Sequence, residues 1–198
     1  MVTAREQLKH ATQQRVIAAA GQLFDQRGFA ETTVRDIAEA SNVSTGSVMA
    51  VGDKNTLLIR VFDTMIAAEH AQRRGTKVSS TAVDGHTCVD RLTSLTQPFV
   101  ALFTESPELA RSYASILVSG THTSLLFADL AAQLVEEFRA AVTLHGCTSE
   151  GDAPATASAL YFAYVGTLFT WSARGPADPS ELTASLRTTF TAICTCKE

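Results

Sequence analysis

The chain has 198 residues, of which 45% are hydrophobic and 18% charged, and its formal net charge is -4. This length is ample for a buried core, no segment reaches the roughly 18 continuous apolar residues of a membrane helix, and the N-terminus lacks the apolar core of a signal peptide. We therefore expect a cytoplasmic protein without a membrane partner. Residues 1–74 carry nine Lys or Arg against eight Asp or Glu, and this near-neutral balance predicts only weak non-specific binding to nucleic acid.

The first strong helical pattern ends at Gly28. Ile17, Ala20 and Phe24 recur at i, i+3 and i+7, which is typical of an amphipathic helix with one buried stripe. A glycine just past the last apolar position can take the left-handed conformation that ends a helix, and Phe29 can then fold back on Phe24. The sequence predicts a helix followed by a tight corner.

Two short helices follow, separated by a turn at Asn42. Thr33 is a good N-cap because its hydroxyl can accept a hydrogen bond from the free amides of the first turn, where Asp36 adds a favourable negative charge. Asn42 tolerates a positive φ better than most non-glycine residues, and Ser44 caps a third helix from Thr45 to about Val51. This spacing predicts a helix-turn-helix.

A fourth helix is predicted from Asp53, its N-cap, to about Arg74. Lys54 stands in its first turn, where a positive charge opposes the helix dipole. We interpret this lysine as part of a site that holds a DNA phosphate between backbone amides and an ammonium group. A solvated surface lysine is the alternative.

The residue order across these helices resembles the N-terminal DNA-binding domain of TetR (tetracycline-repressor) family regulators. The resemblance covers about residues 8–62 and rests on R-x-I-x-x-A-x-x-L-F-x-x-x-G-F, then T-T-V-x-x-I-A-x-x-S-N-V-S-x-G-S-V, then a lysine that opens a long helix. It implies an all-α protein with a three-helix DNA-binding domain over 1–52, a connecting helix over 53–74, and a helical ligand-binding and dimerisation domain over 75–198.

The resemblance also implies which residues face DNA. They carry hydroxyl, apolar or positively charged side chains and lie on the second, third and fourth helices: Thr33, Arg35, Thr45, Ser47, Val48, Met49 and Lys54. Hydroxyls and Lys54 suit phosphates, whereas Arg35 suits a phosphate or a guanine edge.

Four positions depart from the family pattern. Family members usually carry Gly at the position of Asn42, Tyr at Met49, Phe at Val51 and an acidic residue at Asn55. The missing tyrosine removes one phosphate contact, worth roughly 1 kcal/mol, and so predicts binding that is several-fold weaker per half-site. Met49 either contacts a thymine methyl group or merely packs its helix.

Beyond Arg74 the sequence again predicts helices only. A linker is predicted over 73–85, followed by helices at about 87–104, 107–118, 122–145, 153–173 and 179–196, separated in the later part by glycine and proline. No strand-like alternation or repeat is present.

Two of these helices bear on assembly. Ala159 to Trp171 is apolar or small at almost every position, so that helix needs cover on more than one side. The last helix places Leu182, Leu186, Phe190 and Ile193 on one stripe. The resemblance implies that the last two long helices form a four-helix bundle in a homodimer with these residues at the interface; the alternative is a monomer core.

The resemblance implies a small-molecule pocket in the C-terminal domain. Aromatic and apolar candidates to line it are Phe99, Phe103, Tyr113, Leu117, Phe138, Tyr161 and Tyr164. The alternative is that these residues simply build the core.

The cysteines at 88, 147, 194 and 196 show no paired metal spacing, so the sequence predicts free thiols and neither a metal nor a cofactor. No catalytic motif was recognised either: there is no nucleophile elbow, no His-Glu-x-x-His and no phosphate loop.

The predicted function is therefore that of a DNA-binding transcriptional regulator, a repressor released from a palindromic operator by a small, mostly apolar effector. Its partners would be double-stranded DNA, the effector and a second copy of the chain. A family member that has lost strong DNA binding and acts as a ligand- or partner-binding protein is the alternative, and an enzyme with an apolar cavity is a third.

Overall fold

The computed structural model describes residues 3–75, 87–174 and 178–194, and within these ranges the regular structure is helical throughout. The helices are α1 (Ala4–Arg27), α2 (Val34–Ala40), α3 (Thr45–Val51), α4 (Lys54–Gly75), α5 (Cys88–Glu105), α6 (Pro107–Val118), α7 (Leu125–Leu144), α8 (Ala153–Ala173) and α9 (Pro179–Ile193). The all-α prediction is confirmed. Most of the predicted linker and the predicted end of the last helix lie outside the described residues.

In the described part of the chain, none of the helices has the length and apolar character needed to cross a bilayer. The chain divides into two compact units. The N-terminal unit comprises Met1–Met65 and Glu108–Ser124, and the C-terminal unit comprises Ile66–Pro107 and Leu125–Glu198. The predicted boundaries at residues 52 and 74 stay a prediction; the grouping of α6 with the first helices was not evident from the sequence.

The N-terminal unit is built around the apolar faces of its short helices. The buried stripe of α1 includes Val16, Ala20 and Phe24, as its helical spacing predicts. Phe62 of α4 is buried and stacks on Tyr113 of α6, with ring centroids 4.4 Å apart and an angle of 15° between the rings. This stack explains why α6 belongs to the same unit as the first part of α4.

The corner after α1 has the predicted contact but a different backbone. The Phe29 ring lies 5.3 Å from the Phe24 ring, between centroids, so the predicted fold-back is confirmed. Gly28 has φ 81° and ψ 163°: its φ is positive as predicted, but its ψ is not that of the left-handed helix. Asn42 has φ 52°, which confirms the predicted turn.

The C-terminal unit contains α5, α7, α8 and α9. Its core is aromatic and aliphatic, and Phe138 of α7 meets Phe190 of α9 edge-on with ring centroids 6.0 Å apart. Leu160 of α8 and Leu186 of α9 are also fully buried or nearly so. This unit is therefore stabilised by long helices whose apolar faces pack together in one core.

Candidate nucleic-acid interface

The helix-turn-helix is held rigid by caps at both of its helices. The Asp36 amide donates to the Thr33 hydroxyl (3.2 Å) and the Thr33 amide donates to the Asp36 carboxylate (2.8 Å), a reciprocal capping box. Hydrogen bonds from the Thr33 hydroxyl and amide lower the pKa of Asp36. At α3, the Ser47 amide donates to Ser44 Oγ at 3.1 Å. Both predicted caps are confirmed.

The outer face of α3 carries small and hydroxyl-bearing residues. Thr45 and Met49 are exposed, the latter by 52% of its surface, and Ser47 is half-buried. Thr33 and Arg35, at and just after the start of α2, are exposed as well. These five side chains are placed where a ligand outside the unit can meet them.

Val48 was predicted to face DNA, and the structure contradicts this. Its side chain is 0% exposed. Helix α3 has only two turns, and Val48 is its buried residue. Its side chain therefore anchors the helix to the rest of the unit. It supports the interface from beneath.

The sequence analysis missed Gly46 and Ala50, which are exposed on the same face of α3. A Cβ atom added at Gly46 would meet only Ser44 Oγ, at 3.8 Å, so the fold itself has room for a side chain there. Helical spacing would have identified both positions, since Gly46 lies three residues before Met49 and Ala50 lies four residues after Gly46. The face therefore lets another surface approach the α3 backbone closely.

Lys54 has a different partner from the predicted one. Its Nζ donates to the carbonyl oxygens of Phe29 (2.8 Å), Ala30 (3.2 Å) and Thr32 (3.0 Å), and lies 4.4 Å from the centroid of the Phe29 ring. An ammonium group has three N–H donors, and all three are engaged here. The interpretation that Lys54 waits for a phosphate is wrong: it closes the α1–α2 loop.

Thr32 completes this loop and was not singled out in the sequence. It is fully buried, and its hydroxyl lies within hydrogen-bonding distance of the Gly28 carbonyl (2.8 Å) and the Leu23 carbonyl (3.2 Å), to which it donates. Together, Thr32 and Lys54 donate to carbonyl groups of the loop that follows α1, at Gly28, Phe29, Ala30 and Thr32. The loop therefore fixes where α2 begins.

The segment after α6 contacts α4 at two places. His122 Nε2 lies 3.3 Å from both carboxylate oxygens of Asp53, whose Oδ1 also accepts from the Thr56 amide at 2.7 Å. Farther along α4, Ser124 Oγ donates to Asp63 at 2.6 Å. The hydrogen bond from the Thr56 amide is the main cause that lowers the pKa of Asp53, whereas burial raises the pKa of Asp63. Within the N-terminal unit, α4 is thus held by α6 and by the residues after it.

The predicted pocket residues fall into different units. Phe99, Phe103, Phe138, Tyr161 and Tyr164 are at most 9% exposed and belong to the C-terminal unit. Burial raises the pKa of Tyr161 to about 12. Tyr113 and Leu117 lie on α6 in the N-terminal unit, where the Tyr113 ring stacks on α4. The pocket itself stays a prediction.

A surface cavity of about 400 Å³ lies along α8 and α9 of the C-terminal unit. Its lining is mostly polar or small, and none of the predicted pocket residues takes part. It includes Gly166, Thr170, Arg174, Glu181, Ser185 and Thr189.

The predicted dimer residues lie inside the chain. Leu182, Leu186 and Phe190 are 0%, 1% and 0% exposed, because this stripe of α9 packs into the C-terminal unit's own core. They are therefore not a dimer surface in this fold, and Ile193 is half-buried. Helix α8 has an exposed face on the side away from its buried residues. Phe162 is 71% exposed there, and Ala159 and Gly166 are exposed on the same helix.

Similarity to known proteins agrees with this geometry. Residues 16–50 match the family of bacterial regulatory proteins described as tetR. No curated protein matches the sequence of the chain significantly.

Several solved structures share the fold over nearly the whole chain. FadR of Thermus thermophilus, a TetR-family transcriptional repressor solved with lauroyl-CoA, is 19% identical with a TM-score of 0.66 and covers 91% of this chain and 92% of its own. The Bacillus subtilis regulator FadR, solved with stearoyl-CoA, is 15% identical with a TM-score of 0.62 over 93% and 99%. BioQ with its double-stranded DNA operator is 17% identical with a TM-score of 0.59 over 92% and 97%. At these identities the likeness concerns the fold.

Proposed function

We propose that this chain, a member of the tetR family of bacterial regulatory proteins by its residues 16–50 and its fold, is a dimeric repressor released from a palindromic operator by a small, mostly apolar effector. The observation that carries the proposal is the outer face of α3. Helix α3 is short and capped, and its exposed face combines hydroxyl groups, Met49 and Gly46, where there is room for a side chain.

The DNA interface consists of α3 and the start of α2. Hydroxyls at Thr45 and Ser47 bind phosphate oxygens, which position the helix without reading sequence. Thr33, whose hydroxyl donates to Asp36 at 2.6 Å, positions the start of α2 at this interface. Met49 contacts the base edges, where a thymine methyl group suits its apolar side chain. Arg35 supplies the exposed positive charge that Lys54 cannot, since the Lys54 ammonium is already bound to three carbonyls.

A single unit of this kind binds DNA weakly, and a second copy compensates for this. Residues 1–74 carry nine Lys or Arg against eight Asp or Glu, so phosphate neutralisation contributes little. Two recognition helices about 34 to 36 Å apart read half-sites in successive major grooves, which makes the operator nearly palindromic. The exposed face of α8 around Phe162, and not the buried stripe of α9, forms the dimer contact.

The effector binds in the C-terminal unit among Phe99, Phe103, Phe138, Tyr161 and Tyr164. Support comes from the two FadR structures, which hold acyl-CoA molecules in the same fold. Helix α4 carries the signal because one continuous helix contributes to both units. A coupling free energy of about 1 to 3 kcal/mol changes DNA affinity about 5- to 150-fold.

The test begins with selection of bound sequences from random double-stranded DNA, followed by fluorescence anisotropy on the selected site. Arg35→Ala removes an exposed charge at the interface, so we expect roughly tenfold weaker binding and a smaller dependence on salt concentration. Arg139→Ala is the matched control: it removes an exposed arginine of the C-terminal unit, paired with Glu136, and leaves binding unchanged.

Failure to select any sequence, or equal loss with both arginine variants, contradicts the DNA-binding proposal and favours a ligand- or partner-binding protein. Lauroyl-CoA and stearoyl-CoA are then added to the complex. Unchanged operator affinity with both contradicts their use as effectors while leaving DNA binding intact.

A further inference from the structure

Three cysteines that are far apart in sequence meet in the C-terminal unit. Cys88 is the first residue of α5, Cys147 lies in the turn between α7 and α8, and Cys194 caps the end of α9. Their sulfur atoms all lie within 4.8 Å of one another, and Cys88 Sγ is 3.6 Å from Cys194 Sγ. The chain has four cysteines in all, and the sulfur atoms of three of them lie in this cluster.

The spacing of the sulfur atoms fits a tetrahedral metal site. Zinc binds thiolate sulfur at about 2.3 Å, which places two sulfur ligands of one tetrahedron about 3.8 Å apart. The Cys88–Cys194 distance is already close to this value, and the third sulfur needs to move by no more than about an ångström. Sulfur-only donors of this kind select soft or borderline cations such as Zn²⁺.

The surroundings also suit a buried metal site with three protein ligands. Cys88 and Cys147 are only 1% and 6% exposed, and Cys194 is half-buried. Cys88 stands at the N-terminus of α5, so its sulfur atom lies at the positive end of that helix dipole.

The oxidation state of Cys147 decides whether the ligand set exists. Cys147 is in a disulfide, whereas Cys88 and Cys194 are free thiols. A dithiol reductant must transfer two electrons and two protons to that sulfur–sulfur bond, which leaves two thiols, one of them that of Cys147, and converts the reductant into its own disulfide. Zn²⁺ then replaces the protons of the three thiols, which are released to solvent.

We propose that reduced Cys88, Cys147 and Cys194 form a thiolate site for Zn²⁺ that ties the start of α5, the α7–α8 turn and the end of α9 together, and that the disulfide of Cys147, while intact, prevents Zn²⁺ from binding there. The site lies outside the nucleic-acid interface, and the proposal does not depend on the function proposed above. Metal binding should stabilise the C-terminal unit, since a ligand that binds only the folded state raises its stability.

The experiment titrates the full chain, reduced with a dithiol and freed of reductant without air, with Co²⁺ as a spectroscopic probe. We expect one Co²⁺ per chain, a strong sulfur-to-cobalt charge-transfer band, and the intense visible bands of tetrahedral cobalt. Added Zn²⁺ should displace the Co²⁺ at one equivalent. The same chain with its disulfide intact should bind at least tenfold more weakly, on the order of the loss expected from disturbing a ligand shell.

Single substitutions then test the ligands. Cys88→Ser, Cys147→Ser and Cys194→Ser should each weaken Zn²⁺ binding by more than about tenfold, since even partners outside the ligand shell cost about 10- to 100-fold when lost. Thr191→Ala, an exposed residue near Cys194 on α9, is the matched control and should bind as the parent does.

A second measurement on the unmodified chain avoids dependence on variants that fail to fold. Zn²⁺ should protect the three thiols from alkylation, as read by mass spectrometry after digestion. The proposal is wrong if Zn²⁺ leaves all three sites equally reactive, if the cobalt spectrum lacks the charge-transfer band, or if reduced and oxidised chains bind equally well.

Discussion

The two units of this protein differ in what fixes their structure. In the N-terminal unit, caps and turns a few residues apart define each short helix: Thr33 with Asp36, Asn42, and Ser44 with Ser47. In the C-terminal unit, long helices meet through residues distant in sequence, such as Phe138 with Phe190. Local chemistry can be read from a sequence, but the facing of a long apolar helix depends on its neighbours.

The largest expected effect tests which side of α9 is core. Phe190 is fully buried against Phe138, so Phe190→Ala should destabilise the chain by about 3 to 5 kcal/mol through lost burial and a residual cavity. Thr188→Ala, exposed on the same helix, should change stability by less than about 0.5 kcal/mol. Urea unfolding followed by circular dichroism measures both.

Phe162→Ala, at an exposed position of α8, tests the proposed dimer surface in the same way. It should leave the free energy of unfolding per chain nearly unchanged but weaken self-association by about 2 kcal/mol, as expected for an aromatic anchor at an interface. Sedimentation of both variants separates the two roles. If Phe190→Ala abolished the dimer without loss of stability, α9 would be the interface after all.

A smaller effect is expected at Lys54 in the N-terminal unit. Lys54→Met keeps the aliphatic stem and removes the hydrogen bonds to three carbonyls, so we expect a loss of about 1.5 to 3 kcal/mol in the free energy of unfolding. Lys9→Met, on the exposed face of α1, is the control and should have no measurable effect.

The predicted phosphate contact would give the opposite result for Lys54→Met: unchanged stability, and a salt dependence of operator binding reduced by the loss of about one phosphate contact. Chemical denaturation together with anisotropy at several salt concentrations distinguishes the two roles.

These residues show where reasoning from sequence succeeds. Each of the nine helices in the described residues corresponds to a predicted one, and the bounds of α3–α6 and α8 agree within about one residue, because caps, glycines and prolines mark them locally. The sequence did not place the start of α1 at Ala4, and α7 begins at Leu125, three residues later than predicted. The DNA-facing set came from the family resemblance, and contact of its exposed members with DNA stays a prediction. The role of Lys54 could not be predicted, because its partners lie on a loop more than twenty residues earlier in the chain.

The same limit explains the errors in the C-terminal unit. A stripe such as Leu182, Leu186 and Phe190 predicts burial correctly, yet the pattern is identical whether the covering surface belongs to the same chain or to a second copy. The cysteines are a stronger case. Their sequence spacing resembles no metal motif, and only the fold brings Cys88, Cys147 and Cys194 together.

The smallest expected effect compares one carboxylate from each unit. Hydrogen bonds from Thr87, followed by the guanidinium of Arg187, lower the pKa of Asp90 in the C-terminal unit to about 2. In the N-terminal unit, burial raises the pKa of Asp63, although Ser124 donates a hydrogen bond to it. The two groups therefore affect stability in opposite directions as pH changes.

For Asp90, the folded pKa lies below the unfolded one, so its contribution is fully present above about pH 4 and is lost as pH falls towards about 2. For Asp63, the folded pKa lies above the unfolded one, so its contribution is present in acid and is lost as pH rises through the folded pKa. Asp90→Asn should therefore lower the Tm at neutral pH, with the deficit shrinking towards about pH 2. Asp63→Asn, which keeps an acceptor for Ser124, should raise the Tm at neutral pH and converge with the parent in acid. Thermal melts across this pH range measure both. If each variant changed the Tm by the same amount at every pH, the assignment would be wrong, because the effect of a carboxylate on stability must change as it takes up a proton.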